Sequence, residues 1–375
     1  MAMKLRQALC PVLAIIFGGC SPAAQESQAR PTTAPAALAP PLVIIRGAKP
    51  AFGFGGDSNN PAVWIGNTLH VFRSDGEGPS QISAGALNEL VGKNFVKTKA
   101  DRRNILKTDA AGLWFESVIA DSTGKLYACY HAEYGNGSGK NHPRIGMQVS
   151  ADGGDTWRDL GLILQTPENT DHPATPNKFF RGGNGDCSCI LDARQEYLYF
   201  FFSQYSREQR DQGICTARMR WADRDAPAGR VNKWSNGKWQ SPSLSGEATP
   251  FLANKGDIHG AVGQVDFWWR PSIHWNSHIQ RHVILLNRAT DKDWANTQGQ
   301  WSWYTVAPDL ANPTSWGTPQ PLPFAAGDGG GWYPQVIGSD ASMRETDKLA
   351  GRSARLFVGG NSKWEILFLN TGEKP

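Results

Sequence analysis

A strand pattern that recurs along the chain constrains this fold more than any other feature. Its clearest copy, Trp114–Trp157, contains three short runs rich in β-branched and aromatic residues, with a fourth strand expected at Trp157–Leu164. Gly, Asp and Asn separate the runs, as is typical of a four-stranded antiparallel meander. One such sheet cannot bury both of its faces, so it needs copies of itself as neighbours.

The same pattern recurs in the rest of the chain. Its copies begin at Pro61, Ser117, Ser188, Ser272 and Gln335. The distances in sequence between successive starting points exceed the period of about 40–50 residues that is usual for small propeller repeats, so long loops are expected. Helical periodicity is almost absent. The pattern therefore predicts an all-β fold, a five-bladed β-propeller of four-stranded antiparallel blades, over residues 42–375.

Three segments leave the number of blades open. Six blades would result if Ser206–Glu247 or Leu42–Phe54 contained a further sheet. Asn232–Trp239 has the turn chemistry of a hairpin and is expected to close blade three.

The N-terminus predicts export. Lys4 and Arg6 precede an apolar run, and Gly18-Gly19-Cys20 resembles the lipobox of bacterial lipoproteins, in which the Cys is lipidated. Residues 1–19 would then be a lipoprotein signal peptide, although an ordinary secretory signal cleaved near Cys20 is the alternative. Residues 20–41, rich in Ala, Pro, Ser, Thr and Gln, are expected to be a flexible tether. The predicted location is the periplasm or the cell surface, with membrane attachment through the lipid alone.

Composition narrows the range of partners. The net charge is +4 and Lys and Arg form no runs, so no nucleic-acid partner is expected. The 15 Trp residues favour carbohydrate, because indole rings stack on the apolar faces of sugars. We expect a monomer.

Four cysteines lie on predicted strands. If the chain is exported, one or two disulfides can form among Cys129, Cys187, Cys189 and Cys215, and the spacing does not decide their pairing. No second Cys pair or His pair completes a zinc site, so no metal is predicted.

Chemistry is expected where the inner strands begin. In a propeller these strands line the central channel, and the residues that precede them meet at one rim. The residues at these positions are Asp57, Glu116, Asp186, Arg270 and Trp332-Tyr333. Acids beside a base and aromatic rings are the groups that a glycosidase uses. Side-chain alternation adds His131 and Glu133 as candidate substrate-binding residues on one face of the next strand.

Blade one carries a family resemblance. Gly56–Trp64, GDSNNPAVW, resembles the first-blade motif of five-bladed propeller glycoside hydrolases, the arabinanase, xylosidase and invertase-like enzymes. The resemblance implies that Asp57 is a general base, that Asp186 is a second functional Asp, and that the reaction inverts. It also implies a Glu as general acid. The rim position favours Glu116, whose acidity Asp186 would tune, and Glu247 is the substitute by its spacing. Related propellers hold a channel calcium ion, but no ligand spacing in this sequence demands one, and no cofactor is predicted.

A second motif indicates the fold more than the chemistry. Ser150–Trp157, SADGGDTW, matches the Asp-box of sialidases and other propellers and is expected to turn an outer hairpin. Sialidase chemistry would also require three arginines around one pocket; Arg181 and Arg270 are candidates, without a convincing third.

The leading functional prediction is therefore an exported, membrane-tethered glycoside hydrolase acting on a poly- or oligosaccharide. A non-catalytic lipoprotein that binds glycan or protein through the same rim is the alternative. A sialidase-like exo-glycosidase is the third.

Overall fold

The computed structural model describes residues 40–103, 110–134, 141–173, 177, 180–261, 263–291 and 299–375. The predicted signal peptide, Cys20 and nearly all of the tether lie outside these ranges. Within them, no helix has the length and apolar character needed to cross a bilayer.

The first described strand closes the ring. Strand β1 (Leu42–Gly53) pairs antiparallel with the last strand of the chain, β23 (Asn361–Leu369), from Leu42 opposite Leu369 onwards. It is thus the outer strand of the last blade, and Leu42–Phe54 does not begin a sixth blade. Blade five runs outwards from β20 (Gln335–Gly338) through β22 (Ser353–Val358) and β23 to β1.

The protein is a five-bladed β-propeller, in which five antiparallel sheets follow one another along the chain. Blade one consists of β2 (Ala62–Ile65), β3 (Thr68–Ser74), β4 (Pro79–Ala84) and β5 (Val96–Lys97). Blade two consists of β6 (Ala110–Ala120), β7 (Leu126–Tyr134), β8 (His142–Ser150) and β9 (Arg158–Leu164), as the sequence predicts.

Blades three and four carry additional strands. Blade three consists of β10 (Asn184–Leu191), β11 (Tyr197–Gln204), β12 (Gly213–Arg220), β13 (Asn232–Ser235) and β14 (Lys238–Pro242), with β15 (Leu252–Ala253) also paired to β12. The β13–β14 hairpin is the one predicted at Asn232–Trp239. Blade four consists of β16 (Phe267–Asn276), β17 (Arg281–Ala289), β18 (Ser302–Ala307) and β19 (Gln320–Pro321), with β21 (Leu349–Ala350) parallel to β16. Short 3₁₀ helices occupy Leu87–Leu90, Glu168–Thr170, Gln209–Asp211, Trp221–Asp223 and Pro313–Ser315.

The hydrophobic core lies between the blades. One cluster packs blade two against blade three through side chains such as Ile145 and Phe200, both without exposed surface. Another packs blade five against blade one through Phe357 and Val71, which closes the ring on its other side. Each fully buried side chain of this size contributes about 1.5–3 kcal/mol, so the stacking of blades stabilises the rim that they present.

The Ser150–Trp157 turn leads into the outer strand of blade two. Asp152 accepts hydrogen bonds from the Thr156 amide at 2.9 Å and the Ser150 hydroxyl at 2.7 Å. Trp157 is buried and packs edge-on against Phe115, with ring centroids 4.9 Å apart. The turn therefore fixes a Trp that supports the inner strand of the same blade.

Candidate active site at the channel mouth

Backbone irregularities bring the predicted residues to one end of the channel. The pairing of β6 with β7 shifts register at Glu116, that of β10 with β11 at Asp186, and that of β16 with β17 at Arg270. Such β-bulges redirect a side chain, and they are common next to active sites. Asp186, Arg270 and Tyr333 also have φ values of +40°, +55° and +53°, which are rare for residues other than glycine.

Hydrogen bonds from neighbouring blades hold this strained backbone. The Arg270 amide donates to Ser203 Oγ of blade three at 3.0 Å. The Tyr333 amide donates to Asn287 Oδ1 of blade four, also at 3.0 Å. The backbone of Arg270 and of Tyr333 is therefore held by a side chain of the preceding blade.

Glu116 and His131 form a buried acid–base pair. Oε1 of Glu116 lies 3.0 Å from Nδ1 of His131, and Oε2 accepts the Asn59 amide at 3.0 Å. Glu116 has no exposed surface. Burial raises its pKa to about 7, although the contact with His131 opposes that shift. Burial lowers the pKa of His131, but the Glu116 carboxylate and the charges of Asp186 and Glu133 together raise it to about 9.

Asp186 is held by two phenols and faces a guanidinium. Tyr205 donates to one carboxylate oxygen, and Tyr333 donates to the other at 2.8 Å. Nε of Arg270 lies 3.7 Å from Oδ1 of Asp186. Hydrogen bonds to both oxygens and a nearby cation therefore hold the Asp186 side chain in one orientation.

Arg270 occupies an aromatic cage. Its guanidinium carbon lies 3.6 Å from the ring centroid of Trp269 and 4.2 Å from those of Trp332 and Tyr333. The side chain is 7% exposed, and its Nε and Nη1 atoms donate no hydrogen bond within the described part of the chain. Two buried donors without acceptors are costly, and a ligand oxygen at this position would satisfy them.

Two acids of the mouth remain accessible. Asp57 is exposed, and Glu133 is partly exposed and accepts a hydrogen bond from the Asn141 side chain at 2.8 Å. Burial raises the pKa of Glu133, with smaller increases from the charges of Asp186 and Asp57. Asp57 and Glu133 are therefore close enough for an electrostatic interaction, and both are more exposed than the other acids of the mouth.

Glu247 belongs to a different cluster. Its pKa is raised by burial and lowered by Lys233, whose ammonium donates to the Gly246 carbonyl at 2.9 Å. These are residues of blade three, and the contacts of Glu247 there do not include the acids of the mouth. The structure thus brings the other predicted residues of the mouth together and places Glu247 elsewhere. These residues are Asp57, Glu116, His131, Glu133, Asp186, Arg270, Trp332 and Tyr333.

Three side chains have the spacing of a metal site. The ligand atoms of Glu116, His131 and Asp186 all lie within 4.8 Å of one another. Both oxygens of Asp186, however, already accept phenol hydrogen bonds, and the Arg270 cation lies beside them. The Arg270 guanidinium therefore already balances the charge of one of the two carboxylates.

Two members of this site are not predicted from the sequence. Tyr205 lies just after β11, the second strand of its blade, whereas the predicted residues precede the first strands. Asn59 belongs to a polar run of turn-like residues, yet it is buried and its amide binds Glu116. Polar runs of this kind usually form solvated turns, so the sequence carries no signal of this burial.

The opposite end of the channel has a different character. Lys348 donates to Ser117 Oγ and Ser188 Oγ, both at 2.9 Å, between the inner strands of blades two and three. Beyond it opens a cavity of about 920 Å³ that aromatic side chains such as Trp64 and Trp275 line. Because the coupled acids lie at the other end of these strands, we place the candidate active site at the mouth and not in this cavity.

Comparison with known proteins returns only distant likenesses. The chain matches no family model and no curated protein. A solved thermostable family-43 glycoside hydrolase is 12% identical with a TM-score of 0.48, covering 85% of this chain and 92% of that one. A family-43 endo-arabinanase from Bacillus licheniformis is 14% identical with a TM-score of 0.48, covering 85% and 95%. An exo-beta-1,3-galactanase from Phanerochaete chrysosporium is 14% identical with a TM-score of 0.48, covering 88% and 65%. Likenesses of this strength assign no activity.

Proposed function

We propose that this protein is a glycoside hydrolase that cleaves a poly- or oligosaccharide at the channel mouth. The observation that carries the proposal is a pair of accessible acids, Asp57 and Glu133, above a buried acid–base cluster. Glycoside hydrolysis needs one carboxylic acid to protonate the leaving oxygen and a second carboxylate on the other face of the sugar. The raised pKa of Glu133 suits a proton donor, and Asp57 is the general base.

The buried groups have supporting roles in this proposal. The sequence favoured Glu116 as the proton donor, but a carboxyl without exposed surface cannot touch a glycosidic oxygen in this arrangement. Glu116 instead orients His131, and Asp186 raises the pKa of Glu133 through its negative charge. The partly exposed Trp332 provides a stacking surface for a sugar ring.

Further parts of the proposal rest on the sequence. They are export, lipid attachment at Cys20, an inverting reaction, a carbohydrate substrate and a monomeric protein without nucleic-acid partners.

A sialidase site has less support. The Asp-box in blade two also occurs in sialidases, which bind a substrate carboxylate with several arginines. In the described part of the chain Arg270 faces Asp186, whereas Arg181 forms an ion pair with Asp171 at 3.0 Å. The two arginines thus belong to different clusters.

The test is hydrolysis of a panel of plant, algal and host glycans by the purified Ser21–Pro375 protein. Asp57→Asn and Glu133→Gln are expected to abolish any activity found, while Glu247→Gln, a matched change outside the mouth, leaves it intact. Binding of a glycan without hydrolysis would instead establish the non-catalytic alternative. Full activity in both mouth variants would refute the proposal.

A further inference from the structure

Three cysteines converge directly beneath the acid cluster. Cys129 lies on β7 of blade two, and Cys187 and Cys189 lie on β10 of blade three. The sulfur atoms of Cys129 and Cys187 are 3.1 Å apart, and both residues are at most 1% exposed. The side chains therefore already point at each other across the interface between two blades.

The remaining cysteines fit this pairing less well. Cys189 also makes a side-chain contact with the Cys129 thiol, so it is the competing partner. The sulfur pair at 3.1 Å, however, is Cys129 and Cys187. Cys215 lies on β12 near Lys233 and Glu247, away from the other three thiols.

We propose that Cys129 and Cys187 form a disulfide that joins blade two to blade three. The two sulfur atoms are about 1 Å farther apart than in a disulfide of about 2.05 Å. Formation consumes a disulfide oxidant of the glutathione or protein-disulfide class. One Cys thiolate attacks the oxidant and releases one oxidant thiol, and the second Cys thiolate then attacks the mixed disulfide and releases the other. Two protein thiols are thus oxidised while one oxidant disulfide is reduced to two thiols.

Burial determines when this reaction occurs. Burial raises the pKa of the Cys129 thiol well above its ordinary value, and it also raises that of Cys187. A thiol that resists ionisation and has no access to solvent exchanges slowly, since the thiolate is the nucleophile. Oxidation therefore takes place while the chain folds, and the completed fold then protects the bond.

The position of the bond gives it a consequence for the site. Cys129 is two residues from His131 on the same strand and therefore on the same face, and Cys187 directly follows Asp186. A covalent link at this point holds the strands that carry His131 and Asp186 at one spacing. It also closes a long loop, which is where a cross-link most restricts the unfolded chain.

The experiment is refolding of the full chain with oxidised and reduced glutathione, followed by alkylation in denaturant and peptide mapping. We expect two fewer alkylated thiols than in a dithiothreitol-treated control, and a cross-linked peptide containing Cys129. Trypsin cleavage at Arg181 and Arg194 leaves Cys187 and Cys189 on one peptide, so the single variants Cys187→Ala and Cys189→Ala assign the partner.

The cross-link should vanish in Cys187→Ala and persist in Cys189→Ala and in the matched control Cys215→Ala. The oxidised wild type should also melt at a higher temperature than the reduced protein. Complete alkylation after oxidative refolding, or a cross-link that persists in Cys187→Ala, overturns the proposal. The mapping needs no substrate, so failure of the proposed hydrolase function would leave its result unchanged.

Discussion

Nδ1 of His131 lies 3.0 Å from Oε1 of Glu116, and both side chains are almost completely buried. His131 pairs across the sheet with Trp114, two residues before Glu116, so the contact runs diagonally on one face of blade two. Trp114 stacks on the imidazole with ring centroids 4.9 Å apart. The ionisation of each partner therefore depends on the other.

The pH dependence of activity should follow the neighbours of the proton donor. His131 lowers the pKa of both Glu133 and Glu116, and Asp186 raises both. Since the donor must be protonated, His131→Gln should move the alkaline limb of the kcat/KM profile to higher pH. Asp186→Asn should move the limb to lower pH. His282→Asn, at the opposite end of the channel, should leave the limb in place; shifts of equal sign in the two mouth variants would contradict this scheme.

The contribution of the Glu116–His131 pair to stability should fall as pH rises. The folded-state pKa values of Glu116 (about 7) and His131 (about 9) both exceed their ordinary values of 4.5 and 6.5. The pair then binds more protons in the native than in the unfolded state between about pH 5 and about pH 9, so its contribution to the free energy of unfolding decreases through that window. The double variant Glu116→Gln/His131→Gln should lose less stability over this range in urea titrations. Parallel plots of the free energy of unfolding against pH for wild type and variant would contradict this titration of the pair.

The identity of the proton donor can be settled by comparing three carboxamides. Glu133→Gln should reduce kcat by about 10²- to 10⁴-fold, the usual contribution of general acid catalysis. Most of that loss should disappear with an aryl glycoside, whose leaving group needs no proton. Glu116→Gln should leave the ratio of kcat on the glycan to kcat on the aryl glycoside unchanged. Glu247→Gln should change kcat on neither substrate. Rescue of Glu116→Gln by the aryl glycoside would transfer the role to Glu116.

Loss of a phenol that donates to the buried Asp186 should destabilise the fold more than loss of a phenol that donates to an exposed carboxylate. Tyr205→Phe leaves a buried carboxylate oxygen without its donor, which should lower the free energy of unfolding by about 1.5–3 kcal/mol. Tyr127→Phe is the control, because Tyr127 donates at 2.8 Å to Asp225, whose side chain is 54% exposed. Its cost should stay below about 1 kcal/mol, since water can replace that donor. Urea denaturation of the two variants compares them directly, and equal losses would show that burial of Asp186 is not decisive.

The turn of blade two should behave as a structural element. Asp152→Ala removes the acceptor for the Thr156 amide and should cost about 0.5–2 kcal/mol, as loss of a helix cap does. Asp155→Ala in the same turn, whose carboxylate accepts from the Gln81 side chain, should cost less. Neither change should alter kcat/KM under conditions where the protein is folded. A loss of activity without a loss of stability would instead indicate a catalytic role for the turn.

The sequence predicts the blades well because each blade forms from residues that are close together in the chain. Alternating strands and Gly- or Asp-rich turns lie within one repeat, so Trp114–Leu164 could be divided into four strands without tertiary information. Convergence of Asp186, Arg270 and Tyr333 also follows from the repeat, because equivalent positions in a ring must meet. The depth of each side chain does not follow. Whether Glu116 reaches solvent depends on a bulge and on Asn59 from another blade.

The pairing of Leu42–Gly53 with Asn361–Leu369 has a mechanical consequence. The first and last strands of the propeller thus meet in one seam inside blade five. Trimming either end should therefore weaken the same blade, and force applied through the N-terminus should pull β1 away from β23 first. Blade five is the place where this ring would open, and the mouth, which takes Tyr333 from that blade, would lose its shape with it.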